Sequence, residues 1–257
     1  MPSLALHRSS LFLAACSLCL VAAGALQSGG VPLETYRLTG IVVAVLSMVL
    51  AGWLMMADGR RLLKGLAAAL AIGSATSVVT GAYPAVQAVA AQFVFALTIS
   101  IAVATSPSWL SGPQPVADEG VPSARTLAWL AAVGVAGQVA LGAALRYDAL
   151  PVWPHISGSL LVGGLLLFAG MAVLQSYAQH GALRRVGTAL LCVTALQVTL
   201  GMAAYGVRMM AHPAAWASWL TLAHVVNGAL TLGAAMAFAL QVYYHVQESL
   251  LGREAAA

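Results

Sequence analysis

Two histidines, His155 and His224, stand just inside apolar runs of a chain that is otherwise almost free of charge. Each follows a similar segment: Gln138-Val-Ala-Leu-Gly142-Ala-Ala before His155, and Gln197-Val-Thr-Leu-Gly201-Met-Ala before His224. Ionisable side chains inside apolar spans are costly and default to a functional reading. Two imidazoles brought together by an internal repeat can give axial nitrogens to the metal of a flat macrocycle from its two faces. Zinc fits less well, because it wants four nitrogen or sulfur ligands and no further donor lies nearby on these runs. The bland alternative is a pair of interfacial histidines meeting headgroups or backbone carbonyls, and repeat-equivalent placement argues against it. Small residues beside the pair, Gly158 and Gly228 among them, would let a planar ring approach the helix backbone. Their competing role is ordinary close helix packing.

The elements that must position this pair are membrane helices. Of 257 residues, 61% are hydrophobic and only 7% charged, against about 25% charged in a soluble domain. The mean hydropathy is +0.92. Eight apolar runs, 11–27, 38–57, 62–82, 86–105, 126–145, 155–177, 186–205 and 218–244, each approach the ~20 residues a helix needs to cross the hydrocarbon core. They lack the alternation of a barrel strand. With the N-terminus inside, the inner segments hold Arg8, Arg60, Arg61, Lys64, Arg125, Arg184, Arg185 and Arg253, and the outer loops hold only Arg37, Arg146 and Arg208. That bias predicts both termini on the cytoplasmic side of the plasma membrane. It also accounts for the net charge of +4 without a nucleic-acid partner. The first run has the outline of a signal peptide, but its length and its match to the repeat favour a retained span. The six tryptophans read as interfacial anchors.

A glycine near the outer end of each odd-numbered run sets a period: Gly24, Gly81, Gly142 and Gly201, 57, 61 and 59 residues apart. Four successive helical hairpins follow from it. The one long polar stretch, 106–124, divides the chain into an N-terminal four-helix half (1–105), a cytoplasmic linker (106–124) and a C-terminal four-helix half (125–257). The fold expected is therefore all-α, with eight transmembrane helices as two tandem four-helix bundles. Thirteen residues beyond Gly142 is His155, and thirteen beyond Gly24 is Arg37. The best counterpart in the second hairpin is Gln92, so the equivalent position reads Arg37, Gln92, His155, His224.

These motifs, Gln138-Val-Ala-Leu-Gly142-Ala-Ala-Leu-Arg146, Leu196-Gln-Val-Thr-Leu-Gly201 and a histidine opening each of the last two even-numbered runs, resemble the heme A synthases. That family has eight helices in two similar four-helix bundles. The resemblance covers the whole chain length and implies one heme b held by His155 and His224 in the C-terminal half, with the substrate heme O processed in the N-terminal half. It implies a catalytic role for Glu34, in Glu34-Thr-Tyr-Arg37, which keeps the family's spacing. Arg37 and Gln92 depart from it by replacing the N-terminal histidines; arginine has no lone pair for iron.

Two functions follow. One is oxidation of a heme O methyl to a formyl group in heme A biosynthesis, with electrons passing through the C-terminal heme b. The other is a non-catalytic heme b protein, an electron carrier or a subunit serving a respiratory complex or its assembly. In either, Arg146 and Arg208 read as partners for heme propionates, since guanidinium groups bind carboxylates through charge-assisted bonds. Gln138 and Gln197 read as helix-to-helix ties. A Glu34–Arg37 ion pair is the bland alternative to catalysis by Glu34. A transporter would want a charged midplane constellation or paired broken helices, and the sequence has neither.

Overall fold

In the computed structural model, residues 2–26, 32–80, 83–118, 120–210 and 216–248 are described. Helices dominate: α1 (Pro2–Ala25), α2 (Leu33–Ala57), α3 (Arg61–Val79), α4 (Pro84–Ala104), the single turn α5 (Pro107–Leu110), α6 (Ala124–Arg146), α7 (Val152–Ser176), α8 (Gly181–Arg208) and α9 (Ala217–His245). Eight of them, all but α5, are long and apolar enough to cross a membrane, with 19 to 29 residues in each span. The protein is an all-α, multi-pass membrane protein. At 1.5 Å per residue, even the shortest span reaches about 28 Å, close to the hydrocarbon thickness. Large apolar side chains such as Phe12 and Leu161 are exposed on the outer faces, where lipid rather than water must cover them.

The spans begin earlier than the apolar runs, because prolines and polar residues are tolerated in a first turn. Proline occupies the start of α4, and α2 and α7 each follow one, Pro32 and Pro151. Inside the spans the hydroxyls satisfy themselves locally. Ser10, Ser17, Ser47, Ser100, Thr194 and Thr231 each donate to the carbonyl four residues back, which lets a polar side chain sit in an apolar interior at little cost.

Packing closes two rings of helices. In one, α1 packs on α2, α2 on α3, α3 on α4 and α4 on α1; in the other, α6, α7, α8 and α9 do the same. Between the rings α4 packs on α9, α1 on α9 and α4 on α6. The two fourth helices, α4 and α9, are accordingly the most buried spans. Arg60 closes one helix end: it donates to the Ala104 carbonyl at the end of α4 and is itself gripped by Asp58.

The stretch expected as a linker, 106–124, has structure of its own and is folded against the C-terminal half. Val116–Asp118 (β1) pairs in parallel with Val246–Glu248 (β2). Trp109 stacks on Tyr244 at 3.9 Å, and the Tyr244 hydroxyl donates to the Trp109 carbonyl. Trp109 is therefore a buried clasp and not an interfacial anchor, whereas Trp153 and Trp219 are exposed at span ends. His245 Nδ1 accepts from the Gln114 amide, which leaves its Nε2 proton for Gln241 Oε1. His180 works the same way, accepting from the Leu183 amide to cap α8 and donating to the Gln114 carbonyl. Neither histidine carries an obvious sequence signal, since the partner they share, Gln114, lies far off in the chain.

Candidate functional site: a chamber between paired histidines

The helix ends opposite the linker surround one large chamber of about 860 Å³, within the range of cofactor pockets. Every span except α3 contributes to its wall. His155, in the first turn of α7, and His224, two turns into α9, both face it. Their ring centres are 6.2 Å apart and their planes nearly perpendicular, at 88°.

The repeat glycines explain how the rings are held. A Cβ on Gly142 would lie 3.1 Å from His155 Cε1, and one on Gly201 would lie 3.0 Å from His224 Cε1. Each imidazole thus rests edge-on in a notch that any side chain on the odd-numbered helix would fill. One turn earlier the same helices send glutamines across: Gln138 covers Gly158, and Gln197 covers Gly228. The expected openness of those two glycines is therefore taken by glutamine, and Gly158 lies off the chamber wall while Gly228 lines it.

The two halves of this interlock differ. Gln197 Oε1 accepts from Asn227 Nδ2, which also donates to the Val193 carbonyl, and this brings the Gln197 amide nitrogen to 3.2 Å from His224 Nδ1 and 3.4 Å from its Nε2. On the other side Gln138 Oε1 and His155 Nδ1 are both buried without a partner. Asn227 was missed in the sequence, although it lies three residues from His224 and so shares its helix face.

The only permanent charges among the lining residues are Arg146 and Arg208. Arg146 Nη2 donates to the Ala25 carbonyl at the end of α1, at 2.6 Å, while its Nη1 is buried and unpartnered. Arg208, in the last turn of α8, is exposed. Two cations, no carboxylate on the wall, and an unpaired guanidinium nitrogen describe a site prepared for anionic groups. Among the described residues no three histidine, cysteine, aspartate or glutamate side chains converge.

No family model matches this chain, and neither does a curated protein or a solved structure.

The N-terminal half corrects the expected register. Against Gly24 lies Tyr36, whose ring approaches the Cβ position to 3.1 Å as the histidines do at Gly142 and Gly201. Arg37, one residue on and about 100° around the helix, is exposed, and so is Glu34. Neither lines the chamber, and they form no ion pair with each other. Counting thirteen residues from the glycine, as the third hairpin does, overshoots by one in the first. Gln92 does line the chamber, buried, with Oε1 3.8 Å from the Cβ position of Gly228. The expected Gly81 seat lies outside the described residues.

Proposed function

We propose that this chain is a membrane heme b protein in which His155 and His224 hold one heme between α7 and α9. The observation that carries this reading is the histidine spacing. Two nitrogens each about 2 Å from one metal, plus roughly 1 Å from each nitrogen to its ring centre, need centres about 6 Å apart, and they are 6.2 Å apart. The donor set also fits: a porphyrin supplies four nitrogens and asks the protein only for axial ones. Bound there, the heme would supply one-electron redox chemistry.

The chain's own residues do the rest. Gly142 and Gly201 notch the two rings in place, and Gln197 with Asn227 orients His224, as partners of ligating histidines commonly do. Arg146 and Arg208 would hold the two propionates, and the apolar wall would exclude water. The ring-by-ring packing supports two tandem four-helix bundles, related so that α1 and α4 match α6 and α9. With the chamber outside, the basic residues Arg8, Arg60, Arg61, Lys64, Arg125, Arg184 and Arg185 fall at the opposite ends, which supports cytoplasmic termini and a plasma-membrane location.

Between the two functions the resemblance allows, the placement of Glu34 and Tyr36 favours electron transfer without heme O turnover. Glu34 is exposed outside the chamber, and the first N-terminal histidine position is filled by a phenol. Respiratory or assembly partners would then receive the electron.

The purified protein should contain about one heme b per chain by pyridine hemochrome, with a low-spin bis-imidazole spectrum. His155→Ala and His224→Ala should each lose that spectrum, and Arg146→Met should lower heme retention about tenfold through the lost charge-assisted bond. Retention of the wild-type spectrum in both histidine variants would overturn the assignment. Expression with a heme O source, in a host lacking heme A synthase, separates the two functions: heme A formed in the wild type but not in Glu34→Ala would establish the enzyme instead.

A further inference from the structure

The chamber is larger than the space between the histidines, and its far side is built by the N-terminal half. There Leu20, Val21, Ala88 and Ala91 make an apolar wall in which two polar side chains are set, Tyr36 and Gln92. Both are more than nine-tenths buried, Tyr36 at 5% exposure and Gln92 at 7%. Among the described residues neither side chain has a hydrogen-bond partner, although each faces the chamber. Their polar atoms are not among the buried ones that lack a partner, so the phenol and the amide open onto the chamber, where a water or a ligand can reach them. A ligand that reaches both would satisfy them.

The chemistry of that ligand can be read from its surroundings. The permanent charges of the chamber, Arg146 and Arg208, belong to α6 and α8; the lining residues from α1, α2 and α4 include none. A carboxylate or phosphate would therefore be drawn to the arginines, and the Tyr36–Gln92 side selects a neutral group. A phenol O–H and an amide N–H₂ offer donors, and the amide oxygen adds one acceptor. That set suits a ring bearing carbonyl or hydroxyl oxygens. The wall around it suits an apolar body. Gln92 also lies near Gln197, since its Oε1 and the Gln197 Nε2 are 3.8 and 3.3 Å from the same point above Gly228.

We propose that the side of the chamber walled by α1, α2 and α4 binds a lipid-soluble quinone or its hydroquinone, with its ring oxygens held by the Tyr36 hydroxyl and the Gln92 amide. The choice of a redox-active ring over other neutral carbonyl compounds rests on the heme reading of the neighbouring histidines; the binding itself does not need the heme.

The test uses the full-length protein in quinone-free lipid nanodiscs, labelled with an azido-quinone under light and competed with decylubiquinone, with heme content read in the same samples. Label should map to peptides of α1, α2 or α4 and be competed away. Tyr36→Phe and Gln92→Leu should each raise the half-saturating concentration about tenfold, as expected for one lost hydrogen bond, with heme content unchanged. His155→Ala should lose heme yet keep saturable labelling, so that failure of the heme reading and failure of the quinone site give different results. Label spread over lipid-facing surfaces, wild-type saturation in both variants, or competition by hemin but not by decylubiquinone would overturn the proposal. The last of these would assign the compartment to a second porphyrin.

Discussion

Substituting alanine at the repeat glycines tests the histidine pair without touching it. A methyl on Gly142 would sit 3.1 Å from His155 Cε1, and one on Gly201 would sit 3.0 Å from His224 Cε1. Carbon atoms in favourable contact are about 3.5–4.0 Å apart, so each ring must retreat by about half an ångström. Metal-to-ligand distances tolerate only about 0.2 Å. On the proposed heme reading, the notch must be set more finely than the fold alone requires. Overpacking costs about 1–3 kcal/mol, and replacing a mid-helix glycine by alanine returns about 1 kcal/mol, so both variants should remain folded. Heme affinity should nevertheless drop at least tenfold in Gly142→Ala and in Gly201→Ala. Gly137→Ala on α6 and Gly206→Ala on α8 are the controls, since nothing lies within 4 Å of either Cβ position; they should bind heme as the wild type does. The assay is titration of the apoprotein with hemin at the Soret band, alongside thermal melting by circular dichroism. Wild-type affinity in both notch variants would refute the claim that these glycines seat the ligands.

Three further outcomes follow from the hydrogen bonds and the linker. Gln197→Leu strips His224 and Asn227 of a partner and should cost about 1–3 kcal/mol in a chemical or thermal melt; Gln138→Leu, whose Oε1 is already unpartnered, should cost less than half as much. Trp109→Ala removes the ring stacked on Tyr244 and should lower stability by about 3 kcal/mol, with tryptic cleavage at Arg125 accelerating as the clasp opens. Asp58 is held below the usual carboxylate range mainly by its side-chain hydrogen bond to Arg60. A depressed carboxyl stabilises the fold at neutral pH and loses that contribution as pH falls below about 4. Asp58→Asn should therefore flatten the acid limb of the stability–pH curve without altering heme content at pH 7.

Membrane helices were legible because their physics is one-dimensional. A run of about 20 apolar residues must span and must be helical, since lipid satisfies no backbone group, so eight runs became eight helices with errors only at their ends. The linker was not legible for the opposite reason. β1 pairs with β2 across some 130 residues of sequence, and His245 meets Gln114 over a separation of 131; neither contact leaves a periodic trace. The chamber falls between these limits. His155 and His224 stood out because an imidazole among apolar residues is anomalous, and the glycine repeat tied them to one another. Tyr36 is not anomalous in an apolar run, and a fixed count from Gly24 pointed at its neighbour. What is repeated is a contact, a notch on one helix and a ring on the next, and loop length may change by one residue or by ten, from Gly142–His155 to Gly201–His224, without altering it. Gly24 and Tyr36 satisfy that contact with a phenol. The N-terminal half thus presents a phenol to the chamber through the same kind of notch that presents the imidazoles of His155 and His224.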